Sequence, residues 1–149
     1  MTREEKAREN FLKGYNCAQA VLLAFEDKLG LSVDTDTLAR LAAPFGGGMG
    51  RMREVCGAVS GMLMVEGFLR GYSDAEAKEE KMETYARVQR LAARFREECG
   101  SIICRELLAG QADTAPAPAE RTAEYYKKRP CAELVALAAK ILDEDLEIC

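Results

Sequence analysis

The chain has 149 residues, of which 48% are hydrophobic and 31% are charged, the balance of a soluble domain that buries a core without disulfide staples. Its net charge of −4, without a basic stripe between aromatic residues, argues against nucleic acid as a partner. The lack of histidine excludes Ser-His and Cys-His catalytic pairs and zinc sites with imidazole ligands.

Hydrophobic periodicity and capping residues predict helices throughout the chain and no strand. The first helix is short and charged, and Gly14 ends it. The second begins at Cys17, and the third stops before Pro44 because a residue that precedes proline disfavours helix. These three predicted helices cover Arg3–Lys13, Cys17–Leu29 and Thr35–Ala43.

A central helix is predicted from about Met52 to Leu69. Gly57 and Gly61 lie one turn apart in it, beside Ala58, and form a smooth strip that another helix can approach closely. Two glycines inside a helix, each costing about 1 kcal/mol relative to alanine, need such a reason. The least polar part of this region, Val55 to Leu69, is 15 residues long and contains Glu66, too short to cross a bilayer.

Three more helices are predicted after the central one, at Asp74–Glu98, Ser101–Ala109 and Cys131–Leu146, with a Pro/Ala-rich loop at about 110–119. In the first of them the apolar pattern predicts an inward face of Met82, Tyr85, Val88, Ala92 and Phe95. The predicted fold is a single all-α domain over residues 1–149, a bundle of about six to seven helices around the Gly/Ala-rich helix.

Four of the six cysteines fall near predicted helix starts: Cys17, Cys56, Cys104 and Cys131. Asn16 can cap the first of these helices, Ser101 can cap the one that carries Cys104, and Pro130 suits the first turn of the last. Helix starts carry unpaired N–H groups and partial positive charge, which favour thiolate over thiol. Core packing explains any one cysteine but not this recurrence, so we expect the four to meet in one site.

The other two cysteines occupy different positions. Cys99 lies at a predicted helix C-terminus, where the dipole opposes a thiolate, and Cys149 is the last residue. We predict that serine can replace either one. The sequence has no Cys-x-x-Cys, which excludes a thioredoxin-like motif, a zinc ribbon and c-type haem attachment. Any metal site must draw thiolates from distant parts of the chain.

The glycine-rich turn from Phe45 to Gly50 is neither a P-loop nor a dinucleotide-binding motif, because it lacks Gly-Lys-Ser/Thr and no strand precedes it. The backbone of Gly47 and Gly48 can still cradle an anion or donate hydrogen bonds to cluster sulfurs, with Arg51 and Arg53 close by. Gly57 can likewise give a cofactor access beside Cys56. A plain flexible turn and tight helix packing are the alternatives.

The segments Asn16-Cys17-Ala18-Gln19-Ala20-Val21, Cys56-Gly57-Ala58-Val59-Ser60-Gly61 and Cys104-Arg105-Glu106-Leu107-Leu108, followed by Cys131, resemble the C_GCAxxG_C_C family of redox-active proteins. The resemblance spans about Arg8 to Leu142. It implies a redox-active, metal- or cluster-binding protein with Cys17, Cys56, Cys104 and Cys131 as ligands. Members are also similar to the non-haem part of split-Soret cytochromes, but this chain lacks the haem motif, so no haem is expected.

Three functions remain open. The first is an iron–sulfur protein that serves electron transfer or redox sensing with an unidentified partner protein. Another thiolate-bound metal can take the place of the cluster, and zinc is expected less than iron–sulfur. The second is a thiol–disulfide oxidoreductase in which Cys56 is the activated, accessible thiol and forms a disulfide with another of the four cysteines. Cys17 is the second catalytic residue that we predict for this function. The third is a non-catalytic helical interaction protein, dimeric, supported by the small-residue strip and the acidic end Asp143-Glu144-Asp145.

The expected location is the cytoplasm, without membrane contact. The N-terminal segment is charged and lacks the apolar run of a signal peptide. In the cytoplasm glutathione keeps most structural cysteines reduced, so six cysteines favour a catalytic or metal-binding explanation.

Overall fold

The computed structural model describes residues 1–30, 32–110 and 112–148. The all-α prediction is confirmed, since the described chain forms helices joined by turns, with a single isolated β-bridge as its only extended pairing. The helices are α1 Arg3–Leu12, α2 Cys17–Leu23, α3 Glu26–Leu29, α4 Thr35–Ala42, α5 Gly46–Met49, α6 Gly57–Arg70, α7 Lys78–Cys99, α8 Cys104–Leu108, α9 Ala123–Lys128 and α10 Cys131–Ile148, with a 3-10 turn at Ala43–Phe45. None of the described helices has both the length and the apolarity to cross a bilayer.

Capping boxes begin the first two helices. At α2 the Asn16 side chain accepts a hydrogen bond from the Gln19 N–H, and the Gln19 side chain accepts one from the Asn16 N–H. The predicted cap of the Cys17 helix is therefore confirmed. The helix predicted to reach Leu29 breaks after Leu23, because Phe25 leaves helical geometry at φ −112°, ψ 15° with its ring fully buried.

The central helix α6 packs closely on α2. A Cβ atom at Gly61 would lie 2.5 Å from the carbonyl oxygen of Ala18, and one at Gly57 would lie 3.1 Å from the Cβ of Cys17. The predicted role of the strip in close helix approach is confirmed, and the helix it receives is α2 of the same chain. This crossing holds Cys17 against the start of α6.

The central helix begins at Gly57 rather than near Met52, with Cys56 as its N-cap. The preceding residues pair instead with the segment before α8: the Cys56 N–H donates to the carbonyl of Ile102 at 2.7 Å, and the Cys104 N–H donates to the carbonyl of Glu54 at 2.6 Å. The β-bridge between Val55 and Ile103 lies between these bonds. This pairing fixes Cys56 beside Cys104.

The predicted cap at Ser101 is wrong. Helix α8 begins at Cys104 without a side-chain cap, and the Ser101 hydroxyl accepts from the N–H of Ile103 and donates to Glu106. The reason is that the N–H groups of Cys104 and Arg105, which a cap would otherwise satisfy, already bond to carbonyls of the paired segment.

Helix α7 begins at Lys78 rather than Asp74, whose side chain accepts from the N–H of Glu76 in a turn. Its buried residues, Leu91 and Phe95, both lie in the C-terminal half. The predicted inward positions of Met82 and Tyr85 are wrong, since these side chains are 66% and 53% exposed. The helical period was right, but only half of α7 has the core beneath it.

Helix α9 was not predicted; Thr122 caps it by accepting from the N–H of Tyr125. The final helix, α10, packs against α1, α2 and α6. Its acidic end forms ion pairs within the chain: Asp143 with Arg3, Glu144 with Arg94, and Asp145 with Arg70 and Arg90. Both features that supported the interaction hypothesis, the glycine strip and the acidic end, thus make contacts inside the molecule.

Candidate functional site

All four cysteines predicted to form the site line one cavity of about 320 Å³. Each lies at a helix start: Cys17, Cys104 and Cys131 are the first residues of α2, α8 and α10, and Cys56 is the N-cap of α6. Cys17 is half-buried and the other three are buried. The close packing of α6 on α2 and the pairing before α8 bring the four together from across the sequence.

Cys17 and Cys131 form a hydrogen-bonded sulfur pair. The hydrogen bond from Cys17 lowers the pKa of Cys131 to about 7 in spite of burial, and the charges of Arg129, Arg53 and Arg121 act in the same direction. The same bond, together with burial, raises the pKa of Cys17 well above its usual value. Cys131 is therefore the member of the pair that loses its proton first as the pH rises.

Cys56 does not have the exposure and low pKa expected of an activated thiol. It is only 4% exposed, and burial raises its pKa to about 12. The N–H groups of Ala58 and Val59 at the start of α6 lower the pKa of its thiol and oppose this rise, as the helix-start argument predicts. Desolvation outweighs them, so this expectation is corrected.

The glycine-rich turn forms one wall of the cavity with a left-handed backbone. The φ angles of residues 47–51 are all positive, and Arg53 follows at +62°. At Gly48 a Cβ atom would lie 2.7 Å from the Cβ of Cys104, so glycine is required there both for conformation and for space. Gly47, Gly48 and Gly57, the predicted cofactor-binding glycines, all line the cavity.

The charged residues described in the lining of the cavity are all of one sign. Four arginines line it, namely Arg51, Arg53, Arg121 and Arg129, and none of the described lining residues is acidic. In a chain of net charge −4 this is a local concentration of positive charge that suits an anionic occupant or ionised sulfur. Sequence reasoning noted Arg51 and Arg53 but missed Arg121 and Arg129; the one local signal was that Arg129 lies two residues before Cys131.

Residues 113–121, which we call the strap, close one side of the cavity with Pro116, Pro118 and Ala119. Arginine side chains fasten the strap through backbone carbonyls. Arg51 donates to Ala115 and Ala117, Arg53 donates to Asp113, and Arg121, within the strap, donates to Phe11 and Tyr15. The loop predicted at about 110–119 is thus a wall of the site.

The remaining cysteines do not join the four. Cys99 is absent from the described lining of the cavity, and its thiol donates to the carbonyl of Phe95 at 3.0 Å. Cys149 lies outside the described residues. The five cysteines that the structure describes are free.

The four cavity cysteines offer the soft sulfur donors that a thiolate-bound metal requires. Four sulfurs around a cavity ringed by arginines match the ligand chemistry of iron–sulfur clusters and of Cys₄ zinc. Within residues 1–30, 32–110 and 112–148, however, no three cysteine or carboxylate side chains stand close enough to hold one metal ion together.

The family model described as "Putative redox-active protein (C_GCAxxG_C_C)" matches residues 15–145, which include all four cavity cysteines. The chain belongs to this family. The resemblance seen in the sequence is therefore confirmed, and so is the redox-active class. No curated protein and no solved structure gives a significant match to the C_GCAxxG_C_C chain.

Proposed function

We propose that this C_GCAxxG_C_C protein binds an iron–sulfur cluster through Cys17, Cys56, Cys104 and Cys131 and carries electrons. The observation that supports it most is that four thiols from four helix starts line one cavity whose other charged lining residues, among those described, are all arginines. When bound, such a cluster supplies reversible one-electron transfer.

The chain's own residues offset the negative charge that four thiolates carry. The N–H groups at the start of α6 lower the pKa of Cys56, Cys131 begins the 18-residue helix α10, and the Arg53 guanidinium lies 3.7 Å from the Cys104 sulfur. Hydrogen bonds and positive dipoles aimed at sulfur stabilise thiolate ligands and tune their potential. The strap shields this side of the cavity from water, which strengthens each of these interactions.

A cluster is preferred to zinc because of the spacing of the ligands. Four sulfurs around one zinc ion all lie about 2.3 Å from the metal, which demands close convergence. In a four-iron cluster each thiolate binds a different iron, so the sulfurs remain farther apart. The support from the structure is that all four cysteines line one cavity, which a cluster with four separate thiolate ligands requires.

Anaerobic reconstitution with iron and sulfide tests the proposal. We expect visible absorption and bound iron in the parent protein, and loss of both in each single Cys→Ser variant of the four cavity cysteines. Cys99→Ser is the matched control and should retain the cluster, because its sulfur lies outside the cavity lining. A parent protein that stays colourless and free of iron would contradict the proposal.

A dithiol–disulfide function is the second candidate, favoured by the hydrogen bond between Cys17 and Cys131. The Cys131 thiolate would attack a substrate disulfide and release one thiol; Cys17 would then attack Cys131, form the Cys17–Cys131 disulfide and release the second thiol. Two electrons pass from the pair to the substrate. In this second candidate the attacking thiol is Cys131, whereas the sequence led us to expect Cys56.

The two candidates require different cysteines. A cluster needs all four, whereas disulfide exchange needs Cys17 and Cys131 alone. We therefore expect Cys56→Ser and Cys104→Ser to abolish cluster binding under the first proposal and to preserve disulfide formation in a dithiol redox buffer under the second. If all four variants lose stability but no redox property, the cysteines only pack.

We place the protein in the cytoplasm, with a redox protein as its electron partner. Five free cysteines among the described residues support a reducing compartment, where thiols persist. Cell fractionation with a tagged chain tests the location, and recovery in an oxidising compartment with paired cysteines would contradict it.

A further inference from the structure

Arg53 is a buried cation for which the fold provides no carboxylate partner. It is 4% exposed, and the described bonds of its side chain go to a backbone carbonyl and a sulfur rather than to a carboxylate. Its two hydrogen bonds go to the carbonyl oxygen of Asp113, at 3.0 Å, and to the sulfur of Cys104, at 3.7 Å. A buried charge is costly unless a group of opposite charge faces it, so the environment of Arg53 is incomplete without negative sulfur.

The backbone at Arg53 is also held in an uncommon conformation. Its φ of +62° lies in the left-handed region, which a residue with a side chain rarely adopts. Two backbone hydrogen bonds hold it there: its N–H donates to the carbonyl of Gly47 within the turn, and its carbonyl accepts from the distant N–H of Arg105. Such strain concentrates at functional sites, where it sets the direction of a side chain.

The neighbouring Arg105 provides a contrast. It directly follows Cys104 in sequence, is exposed, and pairs with the carboxylate of Glu54 at 2.6 Å. Arg105 thus carries the same charge near the same cysteine, but water and a carboxylate screen it. Burial, an uncommon backbone angle and a sulfur contact without a carboxylate occur together at Arg53.

We propose that Arg53 is the internal counter-charge of the sulfur site, a positioning residue that raises the reduction potential of the sulfur centre. The proposal rests on the redox function proposed above, and it deepens that function by naming the residue that sets the potential. Uptake of one electron adds one negative charge to the cavity, and a fixed cation beside Cys104 stabilises the reduced form more than the oxidised form. For a dithiol centre the same charge favours thiolates over the disulfide.

The test is a potentiometric titration of the reconstituted protein with dithionite as the electron donor, followed by visible absorption. We expect Arg53→Gln to lower the equilibrium constant for reduction by about tenfold or more, equal to about 59 mV for a one-electron couple. Arg53→Lys keeps the charge and should recover most of the potential. Arg105→Gln removes the screened charge and should leave the potential close to that of the parent.

Two results would overturn the proposal: a potential of Arg53→Gln equal to the parent's, or an equal shift in Arg53→Lys and Arg53→Gln, which would show that shape rather than charge matters. Arg53→Met, which keeps the aliphatic stem, serves if the glutamine variant does not fold, as judged by circular dichroism. Iron content is measured in the same samples. If the parent binds no cluster, the cluster proposal fails. The same variants are then compared for the reduction potential of the Cys17–Cys131 disulfide in a dithiothreitol redox buffer. For this two-electron couple the expected tenfold change in the equilibrium constant equals about 30 mV.

Discussion

Replacing Gly61 with alanine should destabilise the protein, although the same substitution usually favours a helix. Gly61 lies inside α6 where this helix crosses α2, and the added methyl group would lie 2.5 Å from the carbonyl oxygen of Ala18 and 3.1 Å from the Cβ of Val21. The first contact is with backbone, which cannot rotate away, so the two helices must move apart.

The size of the effect follows from two opposing terms. Overpacking a well-packed contact costs about 1–3 kcal/mol, and a rigid carbonyl places this site near the upper end. Alanine recovers about 1 kcal/mol of helix propensity. We therefore expect a net loss of about 2 kcal/mol in the free energy of unfolding.

Gly67 in the same helix is the matched control. It is exposed, and a Cβ atom there would meet no atom within 4 Å. Gly67→Ala should thus show only the propensity term and stabilise the protein by about 0.5–1 kcal/mol. One substitution at two positions of one helix should change stability in opposite directions.

Urea unfolding of the reduced, metal-free protein, followed by circular dichroism, measures both variants. For a chain of this size each kcal/mol shifts the melting temperature by about 2–4 °C, so Gly61→Ala should lose about 4–8 °C. Because Cys17 begins α2 at this crossing, iron uptake should fall as well. A Gly61→Ala variant as stable as the parent, or two variants that shift in the same direction, would refute the close crossing of α2 and α6.

Three further predictions concern the ion pairs, the strap and the thiols. Glu66→Gln removes a buried carboxylate that forms ion pairs with Arg70 and Arg87. Because breaking a buried pair leaves an uncompensated charge, we expect the free energy of unfolding to fall by about 3 kcal/mol. An unchanged urea midpoint would contradict this. Arg51→Ala removes two hydrogen bonds to the strap and should speed the alkylation of Cys131 by a maleimide without loss of the helical circular dichroism signal. A rate equal to that of the parent would show that the strap does not limit access to Cys131. Cys131 has a pKa of about 7, and its thiolate is the form that reacts. In reduced, metal-free protein its alkylation rate should therefore rise as the pH increases through 7 and then level off. Mass-spectrometric mapping that finds no such step would contradict the low pKa.

Much of the local structure could be predicted because it depends on neighbouring residues. The capping box of Asn16 and Gln19 begins α2 where the sequence predicts it. The spacing of Gly57 and Gly61 predicts a close helix crossing, since residues one turn apart share a face. The same period failed for Met82 and Tyr85, because a helical pattern says which residues share a face but not whether a core lies beneath it.

The site required long-range contacts that no local pattern contains. Helix-start positions suggested which cysteines belong together, yet the pairing of Cys17 with Cys131 depends on α2 and α10 meeting at their first residues. The high pKa of Cys56 depends on burial by distant segments, which outweighs the local N–H groups.

The sequence by itself determined the helical class, the family and the set of cysteines, because composition, periodicity and motif order are properties of the chain. The tertiary structure alone decided the burial of Arg53, the left-handed turn that directs it and the strap that covers the cavity. Each of these features either places residues in an unfavourable backbone conformation or removes a charge from water. The local conformational preferences of the residues therefore do not predict them. Hydrogen bonds within residues 46–54 close the turn, and bonds between segments about 50–60 residues apart in sequence hold Arg53 and the strap in place.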